Sequence, residues 1–178
     1  MCINQDNFLR AVKVRAARIA VSASATRNQG PGTVQAARKF FSDLDLDQFS
    51  VARAPAFRCR LDDETKKLCR RLPKRSRSWG LARKLTNIFL RDAFYTTYLC
   101  KKFDLTAAEN FFEIPLDSIT AKCLRRIAGR GKLPRWQGVR HLTPEVSERY
   151  QDFARKVAED AGIATVHLDT FMWGERPE

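Results

Sequence analysis

The sequence has few of the residues that disulfide-bonded, metal-binding and membrane proteins require. Its five cysteines are odd in number and far apart, which argues against a disulfide framework. None forms a C-x-x-C pair, and only two histidines are present, so we expect neither a metal site nor another cofactor. No apolar run is long enough to span a bilayer, and no apolar signal segment follows Met1. These absences predict a soluble intracellular protein with no membrane partner.

Acidic side chains are missing from one long stretch of the chain. Between Lys66 and Arg91 there are ten lysines and arginines and no aspartate or glutamate. The whole chain of 178 residues has a formal net charge of +13. Clustered positive charge of this kind is typical of proteins that bind a polyanion. The length suits one domain, so we predict a single domain over residues 1–178 with its basic segment at about 66–91.

Apolar residues recur mostly at intervals of three and four, which predicts an all-α fold. The first helix is predicted to run to about Ser22, and a second to begin with Thr33 as its cap. One or two short helices are expected between Asp45 and Pro73. The remaining helices are expected from Gly80 through Leu99, after Asp117, from Thr143 to Gly162, and across the C-terminal segment 166–173.

The segment around Gly80 combines a turn with the start of a basic helix. Backbone N–H groups at a helix start favour phosphate oxygens, and the pattern puts Lys84 in the first turn. Gly80-Leu81-Ala82-Arg83-Lys84 resembles the Gly-hydrophobic-Gly-x-Lys hairpin of the helix-hairpin-helix DNA glycosylase superfamily, with Ala82 where a second glycine is usual. The resemblance implies a catalytic lysine at Lys84. It also implies DNA contacts from neighbouring residues: Arg77, Trp79, Gly80, Arg83 and Arg91.

The loop after the first predicted helix resembles a second segment of the same superfamily. Residues 19–26 follow its Leu-Leu-Ser-Ala-Gln-x-Thr pattern, with Ser24 in place of the usual glutamine. In the superfamily this loop puts a polar wedge into the duplex. The resemblance implies a DNA contact at Ser24, with Arg27, Asn28 or Gln29 filling the space of an extruded base. An ordinary connection between two helices is the alternative.

Asp117 follows an extended Ile-Pro-Leu segment and precedes a predicted helix. A capping role alone would explain an aspartate at this position. The segment also resembles the superfamily's Pro-Val-Asp-Thr motif, which implies that Asp117 is the catalytic carboxylate as well as the cap. It lies 33 positions after Lys84 (117 − 84). This long separation resembles the archaeal 8-oxoguanine DNA glycosylase branch.

The C-terminal segment His167-Leu168-Asp169-Thr170-Phe171-Met172-Trp173 resembles a motif of that archaeal branch. Asp169 and Trp173 are four residues apart, so on a helix they share a face. The resemblance implies that both contact the extruded base, with Pro115 and His167 as further base-binding residues and Trp136 as another possible wall. A capped C-terminal helix with a core tryptophan is the structural alternative.

Together the resemblances imply a helix-hairpin-helix DNA glycosylase-like fold, with two helical lobes and a cleft between them. Lys84 and Asp117 would face each other across the cleft, and the first helix and the C-terminal segment would share a lobe. The implied protein is a monomeric DNA glycosylase and abasic-site lyase, cytoplasmic and nucleoid-associated. Its partner would be double-stranded DNA with a modified base, 8-oxoguanine first. The alternatives are a non-catalytic DNA-binding module of the same fold, a glycosylase for another modified base, as in phage defence, and a basic helical RNA- or ribosome-associated protein.

Overall fold

The regular structure consists of helices only, as the spacing of apolar residues predicts. The computed structural model describes residues 4–174, and within them there is no β-strand. No helix in this range is both long and apolar enough to cross a membrane. The α-helices are α1 Gln5–Ala20, α2 Thr33–Asp43, α3 Ala54–Arg71, α4 Trp79–Tyr95, α5 Thr97–Lys102, α6 Ser118–Ala128, α7 Pro144–Asp160 and α8 Leu168–Gly174. Short 3₁₀ turns occupy Asp47–Phe49, Lys74–Ser76, Leu105–Phe111, Val139–His141 and Thr165–His167.

Local capping residues explain where the helices that form the site begin. The Ser78 hydroxyl accepts the N–H of Leu81 and starts α4. Asp117 caps α6, and Thr143 caps α7 ahead of a proline in the first turn. These side chains satisfy backbone N–H groups that have no partner inside the helix. The predictions for Asp117 and Thr143 are confirmed.

Two predicted helix starts and one predicted helix end differ from the structure. Gly32 is the cap residue of α2, while Thr33 lies inside the helix and donates its hydroxyl to the carbonyl of Gln29. The central helix ends at Tyr95, because the backbone of Thr96 is extended and a separate helix follows. Gly80 is the second residue of α4 rather than part of a turn.

The buried apolar residues form two clusters. The first joins α1 to α5 with the Leu105–Phe111 turn, and the second joins α6, α7 and α8. Helix α4 belongs to both, since Leu81, Leu85 and Phe89 lie in the first cluster while Trp79 packs against the second. The site described below is built on this shared helix.

That the first helix and the C-terminal segment share a lobe stays a prediction, because the segment contributes to both clusters: Val166 packs in the first cluster. Ala16, Ala17 and Ala20 of α1 pack in the first cluster, whereas Leu168 and Met172 of α8 pack in the second. The C-terminal end of α1 and helix α8 still approach each other, because Ile19, Ala20, Asp169 and Trp173 line one small pocket.

Candidate active site

Lys84 is part of α4, a helix whose residues are mostly buried. It is the sixth residue of α4 and so lies in the second turn, whereas the sequence predicted the first. Ile88 and Arg91 follow it by four and seven positions on the same helical face, and all three line one pocket. The amine therefore projects from a rigid part of the backbone.

The Lys84 amine has two polar neighbours and little contact with solvent. Its Nζ donates a hydrogen bond of 3.2 Å to the carbonyl oxygen of Ala25, in the loop after α1. Asp117 Oδ2 lies 3.8 Å from the same nitrogen. Burial lowers the pKa of Lys84, while the negative charges of Asp117 and Asp169 act in the opposite direction. The buried amine thus loses its proton more readily than an exposed lysine does.

Asp117 uses its two carboxylate oxygens for different contacts. Oδ1 accepts the backbone N–H groups of Ile119 (2.8 Å) and Thr120 (3.0 Å) at the start of α6. Oδ2 is the oxygen that faces Lys84. Capping therefore fixes the orientation of the carboxylate and leaves one oxygen for chemistry beside the amine.

The Lys84–Asp117 pair lies between two adjoining pockets. The outer one is an open cleft with a cavity volume of about 490 Å³, a size typical of ligand sites. One wall is the loop after α1, which includes four residues predicted to bind DNA: Ser24, Arg27, Asn28 and Gln29. The opposite wall is the segment 136–141, from Trp136 through the Val139–His141 turn.

The inner pocket is smaller, with a cavity volume of about 150 Å³. It contains three of the residues predicted to bind a base, Pro115, Asp169 and Trp173, together with Arg91 and Asp92. Residues 19–25, at and after the end of α1, contribute the remaining wall. The structure thus brings Lys84, Asp117, Asp169 and Trp173 together although they lie far apart in the sequence.

A chain of ionic contacts lines the inner pocket. Arg91 donates to Asp169 Oδ2, and its Nε and Nη2 donate to Asp92 Oδ1 at 3.0 and 2.8 Å. The Thr120 hydroxyl donates to the other oxygen of Asp169 at 3.2 Å. Burial, opposed by the charge of Arg91 and assisted by that of Asp117, raises the pKa of Asp169 to about 6. Burial also raises the pKa of Asp92.

Three polar atoms on the pocket walls are buried without a hydrogen-bond partner among residues 4–174. They are Gln29 Oε1 and Trp136 Nε1 at the outer cleft and Asp92 Oδ2 at the inner pocket. Buried polar atoms in folded proteins nearly always have a partner. Their position indicates that these pockets suit a ligand with hydrogen-bonding groups.

Arg83 and Arg91 were predicted to contact DNA, but the structure uses both guanidinium groups inside the protein. Arg83 is buried and binds Glu113 through two hydrogen bonds of 2.8 and 2.7 Å. It also binds Asp62 at 2.7 Å. Arg91 binds the two aspartates of the inner pocket. The acidic partners lie outside the basic segment of the sequence. In the fold they form ion pairs with these two arginines of the segment.

Gly80 and Trp79 pack against other parts of the protein in the described structure, and they do not form an exposed hairpin. A Cβ atom added at Gly80 would collide with the carbonyl oxygen of Val139 and lie 2.6 Å from Leu142 Cβ. Trp79 is half-buried and carries the guanidinium of Arg83 over its ring. Neither residue lines the two pockets beside Lys84.

Arg77 and His167 both have hydrogen-bond partners within the protein, and the DNA contact predicted for the exposed Arg77 stays a prediction. The Arg77 guanidinium donates to the carbonyl oxygens of Arg70 and Leu72 at the end of α3. His167 lies between Tyr95 (2.7 Å) and Glu109 (2.8 Å), outside both pockets. The histidine thus ties the segment before α8 to α4 and to the Leu105–Phe111 turn.

Sequence reasoning missed Asp92, Arg140 and His141 as pocket residues. Asp92 lies eight positions after Lys84 and four after Ile88 on α4, a helical spacing that points to the same wall. The segment 139–141 carries no such signal, because a contact with Gly80 brings it to the cleft.

The described residues contain no group of three or more His, Cys, Asp or Glu side chains placed to hold a metal ion. Cys59, Cys69, Cys100 and Cys123 are free thiols, and Cys2 lies outside the described residues. The chemistry available at the pair is that of an amine of lowered pKa beside a fixed carboxylate.

No protein-family model, no curated protein and no solved structure matches the chain.

Proposed function

We propose that this protein is a DNA glycosylase with abasic-site lyase activity, built on a helix-hairpin-helix glycosylase-like fold with two lobes. The observation that carries the proposal is the Lys84–Asp117 pair, with Nζ and Oδ2 separated by 3.8 Å at a buried position between two pockets. The resemblance of both segments to the superfamily's catalytic motifs supports the same assignment.

The outer cleft and the inner pocket suit different parts of a DNA substrate. The cleft would hold the sugar and phosphate backbone, and the loop residues 24–29 would occupy the gap left in the duplex. The inner pocket would receive the extruded base against Trp173. Each carboxylate oxygen has two lone pairs, so Asp169 accepts a base N–H in addition to its contacts with Arg91 and Thr120. A modified purine such as 8-oxoguanine has N–H groups for this contact.

In the proposed reaction the neutral Lys84 amine attacks C1′ of the extruded nucleotide. A bond forms between Nζ and C1′, and the base leaves with the electron pair of the glycosidic bond and takes up a proton. Asp117 stabilises positive charge developing on the sugar and accepts a proton from the lysine amine. The sugar ring opens to give a Schiff base. Loss of a C2′ proton then breaks the C3′–O bond, and the 3′ phosphate leaves.

Borohydride trapping tests the proposal directly. Wild-type protein is incubated with duplexes that carry 8-oxoguanine, another modified base or an abasic site, and reduction converts a Schiff base into a stable adduct. We expect an adduct with wild type and none with Lys84→Gln. Lys13→Gln is the matched control, because burial also lowers the pKa of Lys13 but its amine binds the carbonyl of Leu44, away from both pockets. This control should trap as wild type does.

Asp117→Asn separates catalysis from capping. Asparagine caps helices as well as aspartate does, so α6 should keep its start. Loss of the negative charge beside the buried amine should lower the pKa of Lys84 further. The rate should fall by about 10²–10⁴, the usual contribution of a positioned acid–base group. Base release without any adduct would overturn Lys84 as the nucleophile. Duplex binding with neither base release nor an adduct would refute the enzyme and leave a non-catalytic DNA-binding module.

A further inference from the structure

The solvent-facing side of α1 carries positive charge that the candidate site does not use. Arg10, Arg15 and Arg18 are exposed, and none of them has an ion-pair or hydrogen-bond partner for its side chain among residues 4–174. The only acidic residue of the helix is Asp6. Such an arrangement differs from the usual exposed helix surface, on which opposite charges three or four residues apart are interspersed.

The helical geometry puts these three guanidinium groups on one face. At 100° per residue, Arg10, Arg15 and Arg18 lie within an arc of about 140°. Arg15 and Arg18 point away from the buried Ala16, Ala17 and Ala20, and Arg10, seven positions before Ala17, lies at the edge of this arc next to the buried face. The three arginines line one shallow groove, together with Ala11 and Val14 between them. At 1.5 Å per residue the row extends over about 12 Å, the length over which one DNA strand presents three or four phosphates.

The row of arginines ends beside the candidate active site. Ile19, the residue after Arg18, lines the inner pocket, and the loop that follows α1 forms a wall of both pockets. In addition, the arginines predicted to hold DNA at the hairpin are occupied within the protein: Arg83 and Arg91 bind carboxylates and Arg77 binds carbonyl oxygens. Among the described residues, the cations without a side-chain partner on either side of the pocket-lining segment 19–25 are Arg18, one position before it, and Arg27, two positions after it.

From this arrangement we infer that the exposed face of α1 binds the phosphate backbone of the DNA arm that adjoins the extruded nucleotide. Arg18 would contact the phosphate nearest the pocket, and Arg15 and Arg10 those further along the same arm. Contacts of this kind position a duplex and carry no base specificity. The inference rests on the proposed DNA partner, although not on the lysine chemistry.

The salt dependence of duplex binding measures these contacts. The probe is a duplex with a tetrahydrofuran abasic-site analogue, which lacks the C1′ hydroxyl, cannot open to an aldehyde and so cannot form a Schiff base. Each phosphate contact contributes about 0.9 to the slope of log affinity against log salt. Replacing Arg15 and Arg18 by glutamine should therefore make the slope less steep by about 1.8, and adding Arg10→Gln should remove about 0.9 more. Affinity should fall equally for duplexes of different sequence.

Arg149→Gln/Lys156→Gln is the matched control. Both residues are exposed cations without a side-chain partner in the described part of the chain, and they lie on α7, which lines neither pocket beside Lys84. This double variant should keep the slope of wild type. Equal slopes for the α1 variant and wild type would overturn the inference. Failure of borohydride trapping would leave it standing as long as the duplex is bound, whereas no duplex binding at all would overturn both proposals.

Discussion

Burial is the largest influence on the pKa values of Lys84 and Asp169 at the inner pocket. Burial acts on Lys84 and Asp169 in the same sense, because it favours the neutral form of each. For the amine this means a lowered pKa, and for the carboxyl a pKa of about 6. A neutral amine is needed for attack on C1′, whereas an ionised Asp169 is needed to accept a base N–H in addition to its contacts with Arg91 and Thr120. Both requirements are met only above about pH 6.

The pH dependence of base excision should therefore differ from that of the lyase step. Asp169 is ionised above about pH 6 and protonated below it, so excision of a modified base should fall as the pH drops through 6. Cleavage at a preformed abasic site needs no base contact, so its rate should not fall as Asp169 is protonated. Loss of that charge acts on this step only by lowering the pKa of Lys84, which favours the neutral amine. Single-turnover rates on both duplexes between pH 5 and 9 test this.

The control for this prediction is Asp169→Asn, which cannot titrate. This substitution should abolish the inflection near pH 6 in the pH profile of base excision. The profile of abasic-site cleavage should show no such loss of rate near pH 6 in either protein. Superimposable pH profiles of the wild type on the two duplexes would contradict a role for Asp169 in contacting the base.

Among the helices, α4 depends on a contact that only glycine permits. Gly80 lies against the carbonyl oxygen of Val139 and the Cβ of Leu142, which holds the 139–142 segment at the cleft. In an unconstrained helix, glycine to alanine stabilises a protein by up to about 1 kcal/mol. At this position the added methyl group has no space, and overpacking costs about 1–3 kcal/mol. Gly80→Ala should therefore lower the free energy of unfolding by about 1 kcal/mol or more, measured by urea denaturation.

Gly174→Ala is a useful comparison, because a Cβ at that helical position meets no atom within 4 Å. It should leave stability unchanged or slightly raised. A stabilised Gly80→Ala variant would mean that the 139–142 segment moves away from α4 at little cost.

Helix starts were predictable because their causes are local. Asp117 and Thr143 bind backbone N–H groups two or three residues away, so their neighbours in the sequence are enough to identify them. Gly80 has partners about 60 residues away, and without them it suggested a turn. The end of α4 at Tyr95 was not predicted, because the apolar pattern of the sequence continues through Leu99.

Across the whole molecule, long-range pairing decides what the positive charges do. The sequence identified the residues that meet at the pockets from motifs, including Lys84, Asp117, Asp169 and Trp173. It did not identify which arginines remain free. Glu113 and Asp62 lie 30 and 21 positions from Arg83, and Asp169 lies 78 positions from Arg91. Only the folded chain separates the arginines that hold the protein together from those on α1.

Arg83 links parts of the chain that lie far apart in the sequence. It joins Asp62 on α3 to Glu113, in the segment between the Leu105–Phe111 turn and α6, and its side chain is only 5% exposed. Removing one member of a buried ion pair leaves the partner charge uncompensated, which costs about 3–5 kcal/mol. Arg83→Gln should lower the free energy of unfolding by about 3 kcal/mol, because the half-exposed Asp62 regains some solvation.

Urea denaturation of Arg83→Gln should be compared with that of Arg58→Gln, which breaks a half-exposed pair with Glu148. The exposed pair should contribute no more than about 1 kcal/mol. At a temperature where Arg83→Gln stays folded, its salt slope for duplex binding should equal that of wild type, because the guanidinium reaches no phosphate. A normal stability combined with a slope reduced by about 0.9 would instead restore Arg83 to the DNA contact that its place beside Lys84 suggests.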